Sequence, residues 1–363
     1  MQEEREADMP DKDQRTFLIS VCIPTYNRDL LVYGCVRNIL QCEDSNLEVV
    51  VGDNCSTDKT HSLLASIDDE RLFYFRNEVN MGYVNILETI RHAHGSFCFL
   101  LSDEDDLIVD KIDELKCLAE VHKDVAAIVT GVEHMAGTTL MFSAGPEAVC
   151  QSVLNMPGYI SGLVFRRERV MECLDRMCRE ELFFQLFPHL YAGTLCCMNG
   201  GIVLTGSRFV KIGQRIGKTD CEAQKVKTTG MHWEPKSRIL QVSGQYKALY
   251  DCGLDLSDRL YVGLILMKNY TISSTISFYK IINGDMTSWN MSEEKLKELS
   301  DIAKQPRRFW YRMVKKNYRE IRSMLEKELL GQSLCKSLMQ HPKYVMLYLK
   351  GRLKIRLEAM KQL

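Results

Sequence analysis

Four short apolar runs dominate the first hundred residues: "FLISVCI" (Phe17–Ile23), "LEVVV" (Leu47–Val51), "RLFYF" (Arg71–Phe75) and "FCFLL" (Phe97–Leu101), separated by stretches of helical period. Runs that are apolar at consecutive positions are buried on both faces, which suits a parallel sheet covered by helices rather than an antiparallel sheet with one wet face. The alternation therefore predicts βαβαβαβ with right-handed crossovers, an α/β fold. In such sheets ligands bind beyond the carboxyl ends of the strands. Each run here leads into a polar loop: "PTYNR" (Pro24–Arg28), "GDNCSTD" (Gly52–Asp58), "RNEVNMG" (Arg76–Gly82) and "SDEDD" (Ser102–Asp106). Turn chemistry accounts for any one of these loops, and Ser56 or Thr57 is placed to cap the helix through Leu63 and Leu64. It accounts less well for all four meeting on one edge.

The fourth loop is the least ordinary, because "FCFLLSDEDDL" (Phe97–Leu107) runs from an apolar segment straight into Asp103, Glu104, Asp105 and Asp106. Two carboxylates about 5 Å apart repel by roughly 3 kcal/mol at an effective dielectric near 20, and an arriving phosphate meets the same repulsion. A divalent cation reverses the sign. Hard oxygen ligands suit Mg2+ or Mn2+, which take one or two carboxylates and complete their shell with water and substrate phosphates. The D-x-D spacing lets Asp103 and Asp105 face one ion, while Asp106 is placed to cap the following helix in "LIVDKIDELKCLAEV". Known phosphate loops do not compete for this role. No GxGxxG follows a strand, and "GQRIGKT" (Gly213–Thr219) has one residue too few between its glycines for a P-loop, so it reads as a surface turn.

Taken together, "ISVCIPTYNR", "VVVGDNCSTDKT", "RNEVNMGYVN" and "AHGSFCFLLSDEDDL" resemble the family 2 glycosyltransferases in order and spacing, over roughly residues 17–110. The resemblance implies a GT-A fold, a Rossmann-like, mostly parallel sheet flanked by helices. It implies a metal-dependent, inverting transfer of a sugar from a nucleotide-sugar, in the first instance a UDP-sugar, to a glycan or lipid-linked acceptor in surface polysaccharide synthesis. On the same basis Pro24, Thr25 and Tyr26 lie against the nucleoside, and Asp53 hydrogen-bonds the base. Asp103 and Asp105 form the D-x-D motif, with Asp103 also on the nucleotide and the last Asp on a Mn2+ or Mg2+ that bridges the diphosphate. Many relatives carry an Ala-Arg-Asn run before the D-x-D strand; here "GYVNILETIRHAHG" offers Asn85 instead.

Inversion in one displacement needs a base for the acceptor hydroxyl, and relatives place an acidic pair before the small-residue turn matched by Gly200 and Gly201. This chain has Pro188 and His189 there. An imidazole with an ordinary pKa near 6.5 suits proton transfer, although a lone His in an apolar helix also suits packing. Glu180 and Glu181 are the other candidate bases, and Trp233 is either a stacking platform for a sugar or a core aromatic. Two other functions fit parts of the pattern. One is a catalytically silent nucleotide-sugar-binding or assembly subunit; the other is a nucleotidyltransferase, which should bring a Gly-rich loop after the first strand.

Length and charge set the remaining expectations. A chain of 363 residues, 45% hydrophobic, divides into a charged, disordered lead-in (1–16), a catalytic domain (17–220, with a nucleotide half 17–110 and an acceptor half 111–220) and a helical C-terminal extension (221–363). The 14 cysteines of a long chain without a signal-peptide pattern read as reduced core thiols, and the absence of any CxxC argues against structural zinc. The longest apolar run, "LYVGLILM" from Leu260, is too short to span a bilayer, so a cytoplasmic protein is expected. From Asp301 onward 16 Lys and Arg face 5 Asp and Glu, a net +11, against −12 for the rest. In that tail Met346, Leu349, Leu353, Leu357 and Met360 recur at helical spacing among Lys350, Arg352, Lys354 and Arg356. The stripe either packs on the body or meets an anionic membrane on its inner face; no basic and aromatic pattern for nucleic acid accompanies it.

Overall fold

The computed structural model describes residues 17–179, 187–213, 219–220, 225–226, 230–231, 234–284 and 289–363. Strands β1 (Ile19–Thr25), β2 (Leu47–Asp53), β3 (Leu72–Arg76) and β4 (Phe97–Leu100) are the four apolar runs, displaced by no more than two residues. Helices α1 (Asp29–Ile39), α2 (Thr60–Leu64) and α3 (Asn85–Arg91) connect them. A two-residue strand β5 (Asp106–Leu107) and α4 (Ile112–Val121) lead to β6 (Ala127–Val129), β7 (Thr139–Phe142), α5 (Pro146–Asn155), β8 (Leu163–Arg166), α6 (Arg167–Arg179), α7 (Pro188–Gly200), β9 (Ile202–Thr205) and β10 (Val210–Lys211).

Eight strands form one sheet in the order β3-β2-β1-β4-β8-β6-β9-β7. The β3-β2-β1-β4 half is wholly parallel, as expected; β8 runs antiparallel to β4 and β6, and β7 antiparallel to β9. Alternation along the strands explains why both faces are apolar. Val21, Ile23, Val49, Val51, Phe97 and Phe99 pack on one side against α1 and α4, while their neighbours Cys22, Val50, Cys98 and Leu100 pack on the other. Each fully buried Val or Phe contributes about 1.5–3 kcal/mol. Two glycines are dictated by their surroundings. A Cβ on Gly52 would stand 2.2 Å from Thr89 Oγ1, and Gly201, which ends α7, has φ +72 with the Phe142 carbonyl 2.5 Å from where a Cβ would lie.

The second apolar cluster is not confined to the sheet. It continues from Cys22 through α5 and α7 to the C-terminal helices and Leu338. Those helices are α8 (Pro235–Asp251), α9 (Leu256–Ile272), α10 (Phe278–Ile282), α11 (Glu293–Ala303), α12 (Arg307–Met324), α13 (Leu334–Gln340) and α14 (Val345–Gln362), so the described residues after 233 are mainly helical. No helix among the described residues is long and apolar enough to cross a membrane.

Two predicted caps are not found. Asp106 pairs with Lys211 in the β5–β10 ladder instead of capping α4. Neither Ser56 nor Thr57 caps α2; Asp58 accepts from the Thr60 amide at 3.0 Å, because the intervening residues are used to tie the loop to β1. The lead-in 1–16, Glu180, Glu181, Trp233 and the centre of "GQRIGKT" lie outside the described residues.

Candidate active site at the carboxyl edge of the sheet

The parallel register sets Thr25, Asp53 and Arg76 in one row at the ends of β1, β2 and β3. Beyond them the chain must reverse sharply, and Asn27 and Cys55 adopt the left-handed region (φ 51 and 68), which costs a non-Gly residue about 1–2 kcal/mol. Side chains hold the reversal: the Asn27 amide donates to Ser56 Oγ at 2.9 Å, and Asn27 Oδ1 accepts from the Thr57 amide at 2.7 Å.

Asp53 is fully buried at this edge. Its Oδ1 accepts from the Ser56 amide and its Oδ2 from the Tyr74 hydroxyl, both at 2.8 Å, with Arg76 Nε 3.7 Å from Oδ2. Burial and the bond to Asp53 raise the Tyr74 pKa, so the phenol stays a donor. Asn85, also buried, donates from Nδ2 to the Gly52 carbonyl at 2.7 Å and accepts from Asn77 Nδ2 at 2.8 Å. Its amide joins the β2 and β3 loops. Pro24 and Tyr26 are half-buried on the same edge.

The acids of the fourth loop are sorted by their partners. Asp103, 2% exposed, accepts from Thr25 Oγ1 at 2.8 Å and from Arg28 Nη1 at 2.5 Å. Arg28 reaches Glu104 as well, at 3.3 Å. Burial lowers the guanidinium pKa, but the two carboxylates outweigh it and the net shift is upward. Asp105, completely buried, is held by a different set: Tyr159 OH at 2.6 Å and Ser161 Oγ at 2.5 Å on Oδ2, and the Gly213 amide at 2.6 Å on Oδ1. Burial and then the Asp105 bond push the Tyr159 pKa up. The repulsion expected within the loop is thus relieved by donors from both halves of the chain, with Asp103 turned to β1 and Asp105 to the loop before β8.

Residues 20–159 match the model of "Glycosyl transferase family 2". That segment belongs to the family. The family 2 segment contains the β1–β4 edge and both D-x-D aspartates, and ends at Tyr159. The abequosyltransferase RfbV of Salmonella typhimurium is 33% identical over 114 residues, 30% of this chain and 34% of the relative. The GalNAc(5)-diNAcBac-PP-undecaprenol beta-1,3-glucosyltransferase of Campylobacter jejuni is 32% identical over 104 residues, 27% and 33% of the two chains. The match spans about a third of the length of each of these two relatives. Among solved structures, the mannosyltransferase PcManGT of Pyrobaculum calidifontis, in complex with GDP-Man and Mn2+, overlaps 88% of this chain and 89% of its own at a TM-score of 0.43 and 17% identity.

His189 lies in the first turn of α7, fully buried. Neither ring nitrogen has a hydrogen-bond partner among the described residues, and burial lowers the imidazole pKa to about 3, outweighing an opposing pull from the Pro157 backbone. Sequence reasoning missed Arg28, Tyr159, Ser161 and Gly213 as partners of the acid loop. Arg28 ends the quoted "PTYNR", and Tyr159 and Ser161 lie in "PGYISG", a loop with no sequence signal for this contact.

Proposed function

We propose that the chain is a glycosyltransferase that moves a sugar from a nucleotide-sugar, in the first instance a UDP-sugar, to a saccharide or lipid-linked acceptor in surface polysaccharide synthesis. The observation that carries this reading is the row of four parallel strand ends in a family 2 segment, with the buried Asp103 and Asp105 on the loop after the fourth and Asp103 tied to the loop after the first. The catalytic domain is 17–220, built as a GT-A domain, with 221–363 as its helical extension.

Pro24, Thr25 and Tyr26 would line the nucleoside, with Asp53, oriented by Tyr74 and Ser56, reading the base. Asn85 holds the loops on either side. The acid loop fits a Mn2+ or Mg2+ ion: its donors are hard carboxylate oxygens, and Arg28 already balances Asp103 while Tyr159, Ser161 and Gly213 bring no charge to Asp105. Asp105 is accordingly the first metal ligand and Asp103 the second, on the nucleotide side. A divalent cation there would supply positive charge to the leaving nucleoside diphosphate. Direct displacement inverts the anomeric carbon and passes the acceptor's proton to a base, for which His189 and Glu181 are the candidates. The depth of His189 weighs towards Glu181.

That depth also favours the second reading, a silent nucleotide-sugar-binding subunit. The nucleotidyltransferase reading loses ground, since no glycine stands in the Thr25–Arg28 turn. Lipid-linked acceptors named for relatives such as the Campylobacter enzyme support a site of action on the cytoplasmic face of a membrane, with the protein peripheral to it. The deciding experiment screens nucleotide-sugars with Mn2+ for donor hydrolysis and transfer by wild type and Asp105→Asn. A donor used only by the wild type, and only with metal, is expected; equal turnover by both proteins removes the reading.

A further inference from the structure

Helices α12 and α14 lie side by side and antiparallel: the Arg307 side chain reaches the Met360 carbonyl, and the Tyr318 and Tyr348 hydroxyls are 3.1 Å apart. α14 has two apolar faces. The inner one buries Ile355 and Ala359 and sets Gly351 against the stem of Lys268 on α9. The outer one is the stripe Met346, Leu349, Leu353, Leu357 and Met360, every member of which is 50% to 58% exposed. At 100° per residue the two faces point in opposite directions. The stripe therefore does not pack on the body; other residues do that. Five large aliphatic side chains in one exposed row call for a partner.

Charge says which partner. On the outer face Lys350 and Lys354 flank the stripe on one side, Arg352 and Arg356 on the other. On α12, Arg308, Arg312, Lys315, Arg319 and Arg322 repeat at three- and four-residue spacing, a basic row running beside the apolar one. Between the two helices lies an open groove of about 1030 Å³, lined by Lys315, Arg319, Arg322, Arg352 and Arg356 against the single acid Glu326. Arg322 pairs with Glu326 at 3.1 Å, while Lys315, Arg319, Arg352 and Arg356 form no ion pair among the described residues.

We propose that this face docks on an anionic phospholipid bilayer, with the α14 stripe at the boundary of headgroups and acyl chains and lipid phosphates in the α12–α14 groove. Basic residues on both sides of an aliphatic row let each apolar side chain enter the boundary while its neighbours extend to the phosphates. A second copy of the chain is a poor occupant, because a two-fold contact would lay this basic face on itself. Nucleic acid would leave the aliphatic row unused. The inference deepens the peripheral placement proposed above and is independent of the sugar chemistry.

The test uses the full chain in co-sedimentation with vesicles of phosphatidylcholine alone or with phosphatidylglycerol. Wild type is expected to bind only the anionic vesicles. Arg312→Ala with Arg319→Ala should weaken binding about thirty-fold, and Leu349→Glu with Leu353→Glu by at least about tenfold. Donor hydrolysis by both double variants should match wild type, so that a failed docking face and a failed transferase assignment are read separately. Both arginines are exposed, which keeps the test valid should the leucine pair unfold. Undiminished binding by the arginine pair, equal binding to neutral vesicles, or a dimer in vesicle-free buffer that Leu353→Glu dissociates would each overturn the proposal.

Discussion

The Tyr159 hydroxyl donates to Asp105 Oδ2 at 2.6 Å, joining the last residue of the family 2 segment to the last carboxylate of its D-x-D motif. If Asp105 holds the metal proposed above, a partner that orients it is worth about 10- to 100-fold in metal affinity. Tyr159→Phe should raise the Mn2+ concentration for half-maximal donor hydrolysis by that factor, while saturating Mn2+ restores most of the rate. An unchanged Mn2+ titration would remove Tyr159 from the site.

Arg28 offsets two acids at once, and its side chain is 13% exposed beside an Asp103 side chain that is 3% exposed. Removing one partner of a buried pair typically costs about 3–5 kcal/mol, since the remaining charge is left uncompensated. Arg28→Ala should lower stability by an amount near the bottom of that range in metal-free buffer. Mn2+ should raise the melting temperature of the variant more than that of wild type, as differential scanning fluorimetry would show.

His189 has a folded-state pKa of about 3, below its ordinary 6.5 in the unfolded chain. Between those values the unfolded state binds the extra proton, so stability is fully present above about pH 6.5 and is lost as pH falls, by about 1.4 kcal/mol per unit. Urea unfolding at pH 7 and pH 5 should show wild type losing about 2 kcal/mol more than His189→Gln. Parallel losses in the two proteins would show that His189 is not held neutral.

Gly52→Ala would drive a Cβ into Thr89 Oγ1 at 2.2 Å and the Phe75 ring at 3.0 Å. Overpacking of this kind costs about 1–3 kcal/mol. Because Gly52 precedes Asp53 and its carbonyl receives Asn85, nucleotide affinity should fall with stability, measurable by calorimetric titration with UDP. A loss of stability with full affinity would separate the β2 end from nucleotide binding.

Strands β1 to β4 were legible because apolarity on both faces leaves few alternatives to a covered parallel sheet, and the acid cluster drew attention because four like charges in one loop need partners. Tyr159, Ser161 and Gly213 were not legible. They reach Asp105 from 54 to 108 positions away, and Tyr, Ser and Gly carry no motif that announces such a contact. The α14 stripe shows a different limit. Periodicity revealed that a face exists, but its direction was decided by Ile355 and Ala359, residues too sparse to stand out in the sequence.

The two-residue ladder between Asp106–Leu107 and Val210–Lys211 is small, yet it carries the backbone that delivers Gly213 to Asp105. The segment before β6 and the segment after β9 are thereby fastened together at the carboxyl edge of the sheet. A chimera that grafts foreign sequence after β4 would inherit all four strand ends and still leave Asp105 without its three donors, unless the 159–161 and 210–213 segments were carried along.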